Sequence, residues 1–166
     1  MKTLCRKIGL LLLGAFFISR SAGAQLPAVS FEHLDSLQAQ EKRMVVVMIY
    51  TQWCQYCIAM KQTTFAHKDI KPLLQQQFYL VMLDAEEKNT IRWRGRSFHF
   101  KPTGTNTGVH ELAVQLGTSN GELPYPTLVF LNPQLEILYQ HQGFLSVADL
   151  KKILLALQQK KNSTAP

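Results

Sequence analysis

Two cysteines separated by two residues are the part of this sequence best suited to chemistry. Cys54 and Cys57 lie in the stretch YTQWCQYCIAM, residues 50–60, directly after the apolar run MVVVMIY. Such a pair can form a structural disulfide, supply half of a metal site, or exchange disulfides with another molecule. A bridge that closes so short a loop restricts the unfolded chain very little, so the spacing serves a purely structural role poorly.

The position of the pair between two predicted elements favours disulfide exchange. Cys54 follows a buried strand and begins a helix, where free backbone N–H groups and the helix dipole stabilise an anion. The Cys54 thiol is therefore expected to have a lowered pKa. Cys57 lies one turn further along the same helix face, from which a buried thiol can attack a mixed disulfide formed on Cys54.

Metal binding is the main chemical alternative for the two cysteines. A structural zinc site needs about four ligands, and the sequence contains no second CxxC pair and no paired histidine motif. The histidines at 67, 99, 110 and 141 are scattered, and each is interpreted as a surface or packed residue. A copper role that uses both cysteines and one histidine stays open as an alternative. No phosphate-binding glycine loop and no serine triad is evident.

The first 24 residues have the pattern of a Sec-type signal peptide. Basic residues precede an apolar run over residues 8–18, and Ala22 and Ala24 form an Ala-x-Ala site, with cleavage expected before Gln25. The apolar run is too short to span a membrane. The sequence therefore predicts a mature domain of residues 25–166, periplasmic or secreted, without a stable membrane anchor.

Export changes how the charge and the cysteines are interpreted. The formal net charge of +7 falls to about +3 in the mature chain, because four of the 18 basic residues lie in 1–24 and none of the 11 acidic ones does. A nucleic-acid partner is therefore not expected. Cys5 leaves with the signal peptide, so Cys54 and Cys57 remain, and an oxidising compartment favours a disulfide between them.

The elements that must position this pair alternate between helix and strand. Apolar periodicity and turn residues predict a mixed sheet with helices on both faces, an α/β fold that ends in an antiparallel hairpin. The predicted elements are a flexible lead-in at 25–29, helices near 30–39, 54–65, 69–77 and 109–116, a helix capped by Ser146, strands near 44–50, 78–86, 125–133 and 136–144, a hairpin insertion around 88–107, and a polar tail from about 158.

The insertion carries the sequence RWRGR, Arg92 to Arg96, which admits two interpretations. One is a solvated turn with one side packed on the domain. The other is a docking surface for an acidic partner, because arginine and tryptophan favour interfaces. Glu86, Glu87 and Glu111 are interpreted as ordinary solvated acids.

The motifs WCQYC after one strand and YPT before another, about seventy residues later, resemble the thioredoxin superfamily. The element order is similar too, so the resemblance covers nearly all of residues 30–158. In that family a cis-proline faces the CxxC motif, and Pro126 stands at its position. The resemblance implies that Tyr125 offers its backbone to a substrate strand, that Thr127 completes this segment, and that Trp53 shields the first cysteine.

The resemblance implies a thiol–disulfide oxidoreductase that needs no cofactor and acts on protein thiols and disulfides. Cys54 would attack and Cys57 would resolve the mixed disulfide. The stretch TTFAHKDIKPLLQQQFYLVMLDAEE is more narrowly similar to secreted bacterial thioredoxin-like proteins. These include the C-terminal thiol domain of the membrane disulfide reductase, so the resemblance implies a membrane reductase as electron donor.

Two departures from the family pattern bear on mechanism. Many thioredoxins carry a buried aspartate six residues before the first cysteine, where this chain has Met48, so Cys57 is expected to lose its proton to water or to a substrate group. Gln55 and Tyr56 match neither Gly-Pro of thioredoxins nor Pro-His of strong periplasmic oxidants, which favours a reductase. The alternatives are a disulfide oxidase or isomerase, and a copper-binding thioredoxin-like chaperone without enzymatic activity.

Overall fold

The computed structural model describes residues 28–163 of the chain. The predicted signal peptide, residues 1–24, lies outside the described residues and stays a prediction. The strands are β1 (Ala28–Val29), β2 (Met44–Tyr50), β3 (Phe78–Asp84), β4 (Ile91–Trp93), β5 (Arg96–Phe98), β6 (Phe100–Pro102), β7 (Gly108–His110), β8 (Thr127–Leu131) and β9 (Ile137–Gln142). The helices are α1 (Phe31–Gln40), α2 (Gln55–Ala59), which continues as a π-helical turn (Met60–Thr64), α3 (Lys71–Gln77), α4 (Glu111–Gly117) and α5 (Val147–Ser163).

Five strands form one mixed sheet in the order β1-β3-β2-β8-β9. β2 runs parallel to β3 and antiparallel to β8, and β8 and β9 form an antiparallel hairpin. The central strand β2 is continuously apolar because both of its faces are covered. The predicted α/β fold, a mixed sheet with helices on both faces, is confirmed.

The two faces of the sheet carry separate apolar cores. Alternate residues of β2 point to opposite sides, so Val47 joins the cluster that includes α1 and α4, whereas Met48 joins the cluster that includes α2, α3 and α5. Cys54 and Cys57 belong to the second cluster. The cysteines are therefore held against the face of the sheet that packs on α5.

Three parts of the chain differ from the sequence prediction. The lead-in at 25–29 was expected to be flexible, yet Ala28 and Val29 pair in parallel with β3. The end of the insertion, a Gly/Thr-rich stretch predicted as a loop, and the first residues of the helix predicted near 109–116 instead include a second ribbon. In this ribbon β6 pairs with β7, and α4 begins only at Glu111. Residues after 158 continue α5 to Ser163. No helix among residues 28–163 has the length and apolar content needed to cross a membrane.

The arginine-rich insertion is the predicted hairpin, with its turn at Arg94 and Gly95. Both residues have positive φ, 51° and 70°, which is the backbone that a two-residue hairpin turn requires and that glycine adopts without strain. Trp93 is buried and its ring lies 5.0 Å from that of Phe31. The Arg94 N–H donates to the Asp35 carboxylate at 3.0 Å, so the hairpin is fixed to α1.

His110 is fully buried at the start of α4 and connects the insertion to that helix. Its Nδ1 accepts a hydrogen bond from the Leu112 N–H at 3.2 Å, and its Nε2 lies 3.3 Å from the Asn89 carbonyl oxygen. This arrangement suits a neutral ring with its proton on Nε2. Burial lowers the pKa of His110, although nearby carbonyl and carboxylate groups oppose the change.

Acid is expected to destabilise the fold through His110. Because its pKa is lower in the folded chain, the unfolded chain binds the proton more readily, so stability falls as pH drops below the unfolded value of about 6.5. The urea midpoint should therefore be lower at about pH 5.5 than at about pH 7.5. His110→Asn keeps a capping acceptor, and its urea midpoint should fall less between these two pH values. The control His33→Asn, at an exposed site, should show the same change in urea midpoint as the parent. An equal fall of the midpoint in all three proteins would contradict the role of His110.

Candidate active site

The two cysteines lie where β2 ends and α2 begins. Cys54 is the N-cap residue of α2, and Cys57 lies one turn into the helix. They form a disulfide with a Cα–Cα distance of 5.2 Å. The Cys57 N–H donates to Cys54 Sγ at 3.1 Å, so a backbone donor already points at the sulfur that would carry negative charge in the reduced pair.

The two cysteine residues differ slightly in exposure, in the direction that the exchange mechanism requires. Cys54 is 5% exposed and Cys57 is fully buried. The residues around them are open to solvent: Trp53 is 63% and Tyr56 is 68% exposed, and Gln55 is exposed as well. An incoming molecule therefore meets two aromatic side chains and the edge of Cys54, while Cys57 is reached only through the disulfide.

The predicted substrate-binding segment lies beside this pair. Tyr125 packs against the apolar cluster that contains both cysteines, and its ring meets the Trp53 ring edge-on at 5.9 Å. The Tyr125–Pro126 peptide bond is cis. Thr127 is buried and its hydroxyl donates to the Pro124 carbonyl at 2.6 Å, so its side chain supports the segment from within.

Phe144 was not singled out from the sequence, yet its neighbours place it at the site. The Gly143 N–H donates to the Pro126 carbonyl at 2.7 Å, and the Leu145 N–H lies 3.5 Å from Met60 Sδ on the helix of the cysteines. Phe144 stands between these two contacts and is 44% exposed. Gly143, directly before Phe144, was the sequence signal that could have pointed to this segment, and its φ of 97° is one that glycine adopts without strain.

Glu86 also has a role at the site that the sequence interpretation missed. Trp53 Nε1 donates to Glu86 Oε1 at 3.2 Å, so this carboxylate is not simply solvated. Glu86 follows β3, which runs parallel to β2 with Tyr50 opposite Asp84. The carboxyl ends of neighbouring parallel strands meet at one edge of a sheet, and this rule was the signal that could have found the contact.

Asp84 extends the same negative edge. One of its oxygens accepts from the Gln52 amide at 2.7 Å and the other accepts from the Glu86 N–H at 2.9 Å. Burial, together with the negative charges of Glu86 and Asp84, raises the pKa of the Tyr125 hydroxyl. Burial and the Asp84 charge likewise raise the pKa of Tyr50. Both phenols are therefore neutral and uncharged at physiological pH.

The position that carries an acid in many thioredoxins is apolar here. Met48 is fully buried in the cluster that contains both cysteines, and its neighbours across the sheet are Met82 and Leu128. No carboxylate from the middle of β2 is available to Cys57. Among residues 28–163, no group of three or more His, Cys, Asp or Glu side chains is arranged to hold a metal ion.

This geometry can perform disulfide exchange between the chain and another thiol or disulfide. A reduced Cys54 at a helix start provides a stabilised thiolate at the surface, and Cys57 lies within disulfide-bonding distance beneath it. Trp53 and Tyr56 flank the cysteines in the sequence and expose apolar surface to a bound peptide, and Tyr125 packs against the cluster that contains both cysteines.

Similarity to known proteins agrees with this geometry. Residues 31–158 match the model of a family described as a thioredoxin-like domain. Among curated protein sequences, none matches this chain. Similar solved structures include a DsbH oxidoreductase, with 21% identity, a TM-score of 0.55 and coverage of 81% of this chain and 86% of that one.

Two further solved structures have the same fold. A thioredoxin from Thermus thermophilus has 21% identity and a TM-score of 0.56, with 80% of this chain and 86% of that one covered. The reduced DsbD C-terminal domain of Neisseria meningitidis has 12% identity and a TM-score of 0.50, with 75% and 90% covered. The chain belongs to the family of thioredoxin-like domains, and with its CxxC disulfide it is a thiol–disulfide oxidoreductase.

Proposed function

We propose that this oxidoreductase works as a reductase of disulfides in exported proteins. The observation that carries the proposal is the pairing of a barely exposed Cys54 at a helix start with a fully buried Cys57, beside the Tyr125–Pro126 segment. Trp53 shields Cys54, and the backbone of Tyr125 pairs with an extended substrate segment. Gln55 and Tyr56, between the cysteines, modulate the reduction potential.

The proposed reaction has two exchange steps. The Cys54 thiolate forms a bond to one sulfur of the substrate disulfide, whose S–S bond breaks and releases the other sulfur as a thiolate. Cys57 then loses its proton and attacks Cys54 Sγ, which frees the first substrate thiol and closes the Cys54–Cys57 disulfide. Two electrons pass from the dithiol to the substrate, and a partner must return them for the next turnover.

The direction of exchange rests on the residues between the cysteines. Neither Gln55 nor Tyr56 is a histidine or carries a positive charge. The Cys54 thiolate therefore lacks the extra stabilisation that makes a disulfide strongly oxidising. Equilibration with glutathione, followed by separation of the oxidised and reduced forms, measures the potential. We expect a value well below that of the strong periplasmic oxidants, about −120 mV. A potential near that value would instead assign the chain to net oxidation.

Export and an electron donor complete the proposal. The signal-like pattern of residues 1–24 supports a periplasmic or secreted location, where a pair of cysteines is kept reduced only by a dedicated donor. A membrane disulfide reductase is the proposed donor. Cleavage before Gln25, measured as the mass of the protein recovered from the host, would support this location, and an uncleaved intracellular chain would contradict it.

The arginine hairpin gives a prediction about protein partners. Arg92, Arg94 and Arg96 are exposed, and none forms an ion pair with another residue in the range 28–163. Arg92→Glu with Arg96→Glu should slow exchange with a protein substrate or donor several-fold, because an acidic partner would now be repelled. Exchange with a small disulfide should not change.

A matched pair of substitutions controls for the change in net charge. Lys68 and Lys152 are also exposed, and Lys68→Glu with Lys152→Glu reverses the same number of charges outside the hairpin. Stopped-flow rates with the protein partner and with a small disulfide separate docking from chemistry. If both double variants slow exchange with the protein partner equally, or neither does, the hairpin is not a docking surface but a solvated turn packed on the domain.

A further inference from the structure

The negative edge of the active site carries an inference about substrate choice, which rests on the proposed function. We propose that Asp84 and Glu86, here called the acidic shelf, select substrates whose reactive cysteine is flanked by lysine or arginine. The shelf lies at the carboxyl ends of β2 and β3, beside the residues that a substrate must contact.

The shelf is joined to the substrate-binding surface by direct contacts. Glu86 accepts a hydrogen bond from the indole of Trp53, the residue before Cys54, at 3.2 Å. The Trp53 ring in turn meets that of Tyr125, the residue before Pro126, at 5.9 Å. The charge of Glu86 therefore lies one side chain away from both the nucleophile and the segment that would hold the substrate.

The electric field of the shelf reaches the substrate-binding segment. The charges of Glu86 and Asp84 add to burial in raising the pKa of the Tyr125 hydroxyl. The same field stabilises a cation placed beside Tyr125. Partly desolvated charges act over such distances more strongly than fully solvated ones, so the effect on a bound peptide is larger than at an open surface.

Neither carboxylate of the shelf forms an ion pair within the described part of the chain. The charge of Asp84 reaches Lys61, where it opposes the lowering of the Lys61 pKa by burial, so Asp84 is partly balanced and Glu86 carries the larger share of the selectivity. Lys61 and Lys88 instead place their ammonium groups over aromatic rings, at 3.0 Å from the centre of Tyr50 and 3.3 Å from that of Phe100. Residues 25–166 carry a net positive charge, so the shelf is a local negative region on a positive domain. It can therefore distinguish basic from acidic substrate segments at the active site.

Single-turnover exchange with charged peptides tests this inference. The probes are homodimeric disulfides of three capped peptides, Lys-Gly-Cys-Gly-Lys, Gln-Gly-Cys-Gly-Gln and Glu-Gly-Cys-Gly-Glu. The reduced protein is mixed with each one, and every rate is divided by that of dithiothreitol with the same peptide, which corrects for intrinsic reactivity. We expect the lysine peptide to react roughly tenfold faster than the glutamine peptide at low ionic strength, and the glutamate peptide to be slowest. The preference should shrink as salt is added.

Isosteric variants separate charge from structure. Glu86→Gln keeps an oxygen for the Trp53 indole while removing the charge, and Glu86→Gln with Asp84→Asn removes both charges. The ratio of lysine-peptide to glutamine-peptide rates should fall stepwise in these two proteins. The control Glu136→Gln removes an exposed charge at the opposite end of β8 and should keep the parental ratio.

The outcomes distinguish this inference from the function on which it rests. Equal normalised rates for the three peptides, or a lysine preference that survives loss of both carboxylates, would overturn the role of the shelf while leaving the oxidoreductase intact. Failure of the reduced protein to exchange with any of the peptides would overturn the proposed function itself. A salt-sensitive lysine preference lost only in the shelf variants would establish the selectivity.

Discussion

Cys57→Ala should accumulate a stable mixed disulfide with its substrate, whereas Cys54→Ala should form none. Cys54 is the more exposed of the two residues, at 5%, and Cys57 is fully buried. Without Cys57, the second exchange step has no attacking thiol, so the covalent intermediate remains. Without Cys54, the buried thiol cannot reach a bulky disulfide. Non-reducing gels and mass spectrometry of a protein substrate measure both species.

The double variant Cys54→Ala with Cys57→Ala is the control for non-covalent capture. Catalysed exchange should fall to the background rate in all three proteins, but only Cys57→Ala should show the adduct. Trapping in the native host with this variant would also identify the physiological substrate, and with it the direction of electron flow. An adduct on Cys57 in the Cys54→Ala protein, at a comparable yield, would reverse the assigned roles.

Met48→Asp should have two large effects, one on stability and one on the pH dependence of exchange. Met48 is fully buried beside the cluster that contains Cys57. A carboxyl group at this position loses its hydration, which costs on the order of 3 kcal/mol of unfolding free energy and raises its own pKa. The carboxylate also provides a base for the Cys57 thiol that the natural chain lacks, so resolution of the mixed disulfide should accelerate about tenfold or more.

Val47→Asp is the matched control for this change. Val47 is equally buried on the same strand, but its side chain faces the other core. Both variants should be destabilised by a similar amount, as urea unfolding would measure. Only Met48→Asp should alter the pH profile of mixed-disulfide resolution. An unchanged profile in Met48→Asp would mean that Cys57 does not depend on a proton acceptor at that position.

The chemistry of the pair was predictable because it depends on local spacing. Two cysteines three positions apart lie one turn apart on a helix, and a buried apolar strand before them places that helix start at a sheet edge. The same local reasoning located most of the elements. It did not find the π-helical turn after α2, in which the Phe65 N–H donates to the Met60 carbonyl. The same turn contacts a distant segment, because the Thr64 hydroxyl donates to the Leu145 carbonyl after β9.

Features that require pairing between distant segments were missed or misjudged. Ala28 and Val29 form a strand only because the edge of β3 is open to them, and two residues carry too little pattern to predict it. The ribbon of β6 and β7 likewise depends on cross-strand pairing rather than on the turn-rich sequence between its strands.

The amino-acid sequence by itself determined the reactive pair, its place between strand and helix, and the apolar residue at Met48. Only the tertiary structure decided what surrounds the pair. The hydrogen bond from Trp53 to Glu86 joins residues 33 positions apart, and the contact of Trp53 with Tyr125 spans a still longer stretch of chain. Periodicity encodes the elements, whereas such contacts arise from strand order and register, which bring the ends of separate strands to one edge of the sheet.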